Sequence, residues 1–366
     1  MPVRETASTR NTFAPISSTQ RRLRTSLLVS SAAALAVALV AGCAKTDDNS
    51  ADIVRTTTNI AGAGVVGLER DTAKACPLPS NPDSASGTRT VTHAAGSTEV
   101  PADAKRIVVL STSALDAACA LGLWERVVGA ATVAGATPQP AYLGTGIAAI
   151  PGVGLVSDPD PAKIAELKPD LILCAATDGN RYDALKAIAP TVLEGDENGW
   201  QATFAGFAEA LDRKTAGAKA LDEYRTAAKD AGNAVNASLT QASVIRFLPN
   251  AIAVQGGNSF AAQVLGDAGV QRPAPQRGNS FDVTSLSTET DRNKVEGDII
   301  FLMFDGPDGL KYGKSVMNGD DWKKLGAVAD RREFAVEDSI WHGNGITAAR
   351  ALIDDMRLNL NGYVTD

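Results

Sequence analysis

From about residue 100 onward, short apolar runs alternate with segments of helical periodicity. Arg106-Ile-Val-Val-Leu110 is a β-branched run closed by Ser111-Thr112-Ser113, and Ala114 to Leu123 then carries apolar residues at helical spacing. Val127–Ala130, Asp170–Cys174 and Thr191–Leu193 read as further strands, with helices over Pro161–Leu167 and about Arg181–Ile188. Between Gly199 and about Ala234 proline is absent, and Phe204, Phe207, Ala208 and Leu211 recur at helical spacing, as do Ala220, Leu221 and Tyr224. One helix of more than about 30 residues would span about 45 Å, too long for one layer of a small lobe, so it reads as a connecting spine. The alternation then restarts. Ser243–Phe247, Ile252–Val254, Asp298–Met303 and Glu333–Val336 are predicted strands, and Ser259–Gly269, Asp320–Leu325 and Ile346–Leu360 predicted helices. The expected fold is α/β: two three-layer α/β lobes, 99–197 and 237–366, joined by one long backbone helix, 198–236.

The first residues carry a different pattern. Arg21, Arg22 and Arg24 precede an uncharged run from Thr25 to Val40 that ends in Val40-Ala41-Gly42-Cys43. About 16 apolar residues are short for a membrane span, so residues 1–42 read as a secretory signal. A cysteine straight after Ala-Gly resembles the lipobox of bacterial lipoproteins, which implies lipidation of Cys43 and anchoring by two acyl chains. Residues 43–98, rich in Ser, Thr, Asp, Asn, Pro and Gly, read as a lipid-anchored tether and partly ordered arm, with Ile60–Gly67 apolar enough to pack on the body.

Charge narrows the function classes. The chain carries −7, and residues 1–42 hold five Arg and one Glu (+4), leaving −11 on the remainder. Such a surface excludes a general nucleic-acid binder. Of the four cysteines, Cys43 is assigned to the lipid. That leaves Cys76, Cys119 and Cys174, an odd number whose pairing the sequence leaves open. A Cys76–Cys119 staple is the expected choice. Only His93 and His342 are present, too few imidazoles for a bare transition-metal site. No resident cofactor is therefore expected, and any iron would arrive inside a chelator.

Taken together, Arg106-Ile-Val-Val-Leu-Ser-Thr-Ser, Ala120-Leu-Gly-Leu123, Ile150-Pro-Gly-Val-Gly154 and Ala165–Leu173 resemble the substrate-binding proteins of siderophore-type ABC importers, in particular the actinobacterial FecB-like lipoproteins. Val244-Ile-Arg-Phe247, Gly257-Asn-Ser-Phe260, Gly269-Val-Gln-Arg-Pro273 and Trp341–Arg350 extend the likeness. The resemblance covers about Val100 to Leu360 and implies two lobes on one linking helix. It also implies a ferric siderophore as ligand, an importer permease as partner and no catalysis. In that family a carboxylate on each lobe docks to the permease. Asp158 and Asp160 stand at the N-lobe place, whereas around Ser285–Glu289 the carboxylate is displaced or missing.

Ligands of open α/β sheets sit outside the carboxyl ends of the strands. The candidates are therefore Ser111 and Thr112, Tyr142 in the loop Thr137–Gly146, and Asp178, Arg181 and Tyr182. In the second lobe they are Arg246, Asn258, Ser259 and Phe260 at a helix start, Arg277, and Trp341 with His342. Ser111 and Thr112 serve equally as helix caps, and Arg246 equally as the partner of an internal acid. Arginines with aromatics suit a wide, anionic ferric chelate. Haem or a corrinoid would suit the same residues, and an envelope scaffold is the reading from another class. No nucleophile–base set, Walker motif or dinucleotide fingerprint occurs. The chain is expected to act as a monomer.

Overall fold

The computed structural model describes residues 58–135, 137–176, 181–195 and 198–360. The lipidation site Cys43 and the candidate Asp178 lie outside the described residues. Among them no helix is long and apolar enough to cross a membrane.

The chain enters through β1 (Asn59–Ile60) and β2 (Ala63–Val65), then forms the hairpin β3 (Thr88–His93) and β4 (Gly96–Pro101). The first lobe follows as β5 (Ile107–Val109), α1 (Thr112–Ala120), β6 (Val127–Thr132), α2 (Thr145–Ala148), β7 (Gly152–Leu155) and β8 (Asp158–Pro159). It ends with α3 (Pro161–Glu166), β9 (Leu171–Ala175), α4 (Tyr182–Lys186) and β10 (Thr191–Glu194). Its sheet runs β10-β9-β5-β6-β7-β8, parallel except for β7 against β8.

Helices α5 (Trp200–Ala210) and α6 (Lys214–Ala234) lead to the second lobe. It comprises β11 (Ala242–Phe247), β12 (Ile252–Val254), α7 (Phe260–Asp267), β13 (Phe281–Val283), α8 (Glu289–Val295) and β14 (Ile299–Phe304). It closes with α9 (Gly306–Met317), α10 (Gly326–Ala329), β15 (Glu333–Ala335), α11 (Asp338–Trp341) and α12 (Ile346–Leu360). The order here is β1-β2-β15-β14-β11-β12-β13.

Strand alternation explains the layering. Ile107 and Val109 share one core with Leu171, Leu173 and Val192, while Val108 and Leu110 join Ile172, Cys174 and Leu193 in another. A parallel sheet covered on both faces needs such continuous apolar strands. In the second lobe Val244, Phe301 and Met303 turn to the core that also holds Ile107 and Val109. Ile245, Phe247, Ile300 and Leu302 turn to an outer core with Trp322. The inner faces of both sheets thus share one apolar core, built around α1, α5, α6, α7 and α12.

Two expectations are corrected. The spine is not one helix: it breaks at Asp212, whose φ is +58°, so the linking helix proper is α6, about 32 Å long. Contacts from the N-terminal arm hold the break. Asp212 Oδ2 accepts from Ser84 N at 2.9 Å, and the fully buried Arg213 guanidinium donates to Ser80 O at 2.9 Å and Asp103 Oδ1 at 2.7 Å. The arm packs on the body as expected at Ile60–Gly67 and is stapled at Cys76. β2 adds in parallel to β15, Arg70 meets Asp355 at 2.6 Å, and Cys76 is joined by a disulfide to Cys119 of α1. The Asp320–Leu325 segment is a short 3-10 turn, Trp322–Lys324, followed by α10.

Glu194, the last residue of β10, is packed against α5, where Gly206 leaves room that a Cβ would take. Burial first, and the nearby Glu209 carboxylate second, push its pKa from 4.5 up to about 7. A carboxyl whose folded pKa is raised contributes fully below 4.5, and the contribution is lost as pH rises through about 7. Glu194→Gln is therefore expected to leave stability unchanged near the low end of that window and to raise it at about pH 8. Urea midpoints at both pH values check this, and equal shifts at both would refute a charge effect.

Candidate functional site

β12 ends at Val254 and the chain turns through Gln255-Gly256-Gly257-Asn258 into α7. Ser259 caps that helix, its Oγ accepting from Ala262 N at 3.3 Å and donating to Gly256 O at 2.8 Å. The turn lies flat on the loop before β13: Gly257 N donates to Gly278 O at 2.7 Å and Gly256 N to Ser280 Oγ at 2.9 Å. Opposite it stand the start of α5, Gly199-Trp200, and the loop between α11 and α12, His342-Gly343-Asn344. These segments enclose a cavity of about 420 Å³, within the range of small-molecule sites. It is lined by Trp200, Phe260, Ser259, Ser280, His342, Gln255, Asn258, Gln263, Asn279 and Asn344, with Trp341 beneath. Trp200 and Phe260 meet edge to face at 5.8 Å. The Trp200 Nε1 donor is buried without a hydrogen-bond partner.

Of the sequence candidates, Asn258, Ser259, Phe260, Trp341 and His342 line this cavity. Trp341 is only 1% exposed; its Nε1 donates to Asp355 at 2.9 Å and its ring lies 4.3 Å from Phe301. It is therefore core floor, with no face left to cover a chelate. His342 reaches the surface, yet desolvation by surrounding protein and then the Arg246 guanidinium lower its pKa, so the ring is neutral at pH 7.

The arginines are elsewhere. Arg246 donates through Nε to Asp338 Oδ1 at 2.7 Å and through Nη2 to Asp338 Oδ2 and Asp305 Oδ1, both at 2.9 Å, so internal acids are its partners. Arg277 is exposed and donates from Nε to Arg272 O at 3.0 Å. Arg181 donates to Ser157 O at 2.6 Å and stands 3.7 Å from Asp158.

The remaining first-lobe candidates do not wall the cavity either. Ser111 is a buried cap, its Oγ accepting from Ala114 N at 3.2 Å, and Thr112 is the first residue of α1. Tyr182 turns to the β3–β4 hairpin, with its hydroxyl 3.0 Å from Thr98 Oγ1 and its ring 5.6 Å from His93. Tyr142, 2% exposed, donates to Asp116 Oδ2 at 3.0 Å. Asp116 itself is fully buried and accepts from Thr347 N at 2.9 Å and Ala348 N at 3.0 Å, the free donors of α12. It pins a helix of the second lobe to α1 of the first.

Sequence reasoning missed Trp200, Gln255, Gln263, Asn279, Ser280 and Asn344. Asn344 lay inside a quoted motif, but a neutral amide in a loop carries no chemical signal of its own. Trp200 looked like an ordinary helical apolar residue. Among the described residues no group of His, Cys, Asp and Glu could hold a bare metal ion.

Comparison with known proteins identifies the fold. Residues 107–338 match the periplasmic binding protein family. The chain is 32% identical over 292 residues to the "Probable siderophore-binding lipoprotein YfiY" of Bacillus subtilis, covering 75% of this chain and 88% of that protein. It is 24% identical over 261 residues to the achromobactin-binding periplasmic protein of Dickeya dadantii, covering 69% and 85%. Among solved structures, Staphylococcus aureus SirA complexed with staphyloferrin B is similar with a TM-score of 0.65 and 25% identity, over 75% of this chain and 99% of SirA. The match over most of both lobes, on the architecture described above, places this chain in the periplasmic binding protein family, a family of binding proteins rather than enzymes.

Proposed function

We propose that the chain captures a ferric siderophore outside the cytoplasm and delivers it to an ABC importer, tethered to the membrane by lipid on Cys43 and acting as a monomer. The observation that carries this reading is the cavity of about 420 Å³ between the start of α5 and the α7 and α11–α12 loops. The siderophore names of the relatives support it, as does the similarity to a protein solved with staphyloferrin B. One core continuous through both lobes favours capture in a nearly preformed cleft over wide lobe closure. For docking to the permease, Asp158 is well exposed, whereas Asp160 already caps α3. In the second lobe the exposed Glu289 in the first turn of α8 is the carboxylate available near the displaced docking place.

Titration of the purified protein with a panel of ferric chelates, haem and cobalamin tests the ligand. Quenching of tryptophan fluorescence, with Trp200 in the cavity wall, is checked by calorimetry. A ferric chelate is expected to bind below about 1 μM, and His342→Ala or Asn344→Ala to weaken it about tenfold with the fold intact. Tight binding of haem or cobalamin alone would move the ligand class. Binding of nothing by folded protein would refute capture in favour of an envelope scaffold.

A further inference from the structure

We infer that the cavity selects a ferric chelate with no net negative charge, an uncharged tris-hydroxamate complex being the nearest chemical type. The inference rests on reading the cavity as the chelate site. It departs from the sequence expectation of arginines gripping an anion.

Among the described residues no Lys, Arg, Asp or Glu lines the cavity. The internal residues outside the description, 136, 177–180 and 196–197, include no lysine or arginine, and their only charged side chains are the carboxylates of Asp178, Asp196 and Glu197. The arginines nearest in sequence to its walls are otherwise engaged. Arg246 is shared between Asp338 and Asp305, two carboxylates to one guanidinium. Arg272 is buried behind Gln255, its guanidinium bonded to Ala242 O, Gln255 O and Gln276 Oε1. Arg277 is exposed and tied through Nε to Arg272 O. An anion entering such a pocket would lose hydration without touching a cationic side chain among the described wall residues, the nearby Arg272 and Arg277 charges standing outside that lining.

What the walls do offer is neutral. Asn279 and Asn344 present amides, and Trp200 Nε1 is a buried donor without a partner. Such groups pair with the carbonyl oxygens and amides of a ligand whose three hydroxamate charges cancel those of iron(III). The ring of Phe260, packed edge to face on the buried Trp200, supplies apolar contact for its backbone.

The test uses two synthetic tripodal chelators on one scaffold, a tris-hydroxamate and a tris-catecholate, each loaded with iron(III) and titrated at low and high salt. The uncharged complex is expected to bind at least about tenfold more tightly than the triply anionic one, with less than about a twofold change across the salt range. Asn279→Lys, which adds a cation at the wall, is expected to narrow that gap about fivefold. Tighter binding of the catecholate complex, lost on Arg277→Ala or falling steeply with salt, would overturn the charge selection while leaving capture intact. Binding of neither complex, nor of any ferric chelate in the panel, would bring down the capture reading and this inference with it.

Discussion

Asp116→Ala is expected to lower the unfolding free energy by about 3–5 kcal/mol. The carboxylate has no solvent contact and takes three donors: Thr347 N, Ala348 N and Tyr142 Oη. Alanine would leave all three buried and unsatisfied, each costing about 1–3 kcal/mol. The net loss is smaller than their sum because desolvation opposes the charge: burial raises the Asp116 pKa even against those three donors. Gly345 sharpens the fit, since a Cβ there would collide with the Asp116 side chain. Asp116→Asn keeps the volume and one carbonyl acceptor but turns an NH₂ toward one donor group, so an intermediate loss of about 2 kcal/mol is expected. Urea unfolding of both variants, with Tyr142→Phe to complete a cycle, measures this. A loss under about 1 kcal/mol for alanine would show that water or a rearranged α12 start satisfies the donors.

The second large effect is covalent. The Cys76–Cys119 bond closes a loop with a sequence separation of 43, for which loop-closure entropy gives about 4 kcal/mol of stabilisation. Replacing both cysteines by alanine is expected to lower the unfolding midpoint by roughly 10 °C. The effect should concentrate in the arm, which is joined to the second lobe by β2 on β15 and by Arg70–Asp355, and to the first by this bond. Hydrogen exchange should therefore rise first across residues 70–84. A double variant with an unchanged midpoint, or with exchange spread evenly over both sheets, would show that the hydrogen bonds of the arm suffice without the bond.

These two sites divide along what was legible in the chain. The Cys76–Cys119 staple could be named as a choice among few cysteines, although its energetic weight needed the fold. Asp116 gave no signal, being one polar residue on an apolar helix whose partners lie 26 and 231 positions away. Both lobes, eight of the strands between Ile107 and Ala335 and the Asn258-Ser259-Phe260 turn at the cavity were readable, whereas β7, β8 and β13 were not. Each is written in local periodicity or in a cap adjoining its helix.

The break at Asp212 was not readable. Residues 199–234 have helical composition throughout, and the left-handed turn is held by Ser84 and by the bonds of Arg213 to Ser80 and Asp103, over a hundred positions away. The same holds for Trp341 and Tyr142, which sequence position put at a cleft and tertiary contacts put in the core. By itself the sequence determined the α/β layering, because alternation and helical spacing state which faces are apolar. Only the tertiary structure decided which polar group meets which: Arg246 with two acids, Asp116 with α12, and a cavity lined, among the described residues, by uncharged side chains. Hydrogen bonds and ion pairs are short-ranged and specific, so their partners are set by the packing of distant segments and leave no periodic trace along the chain.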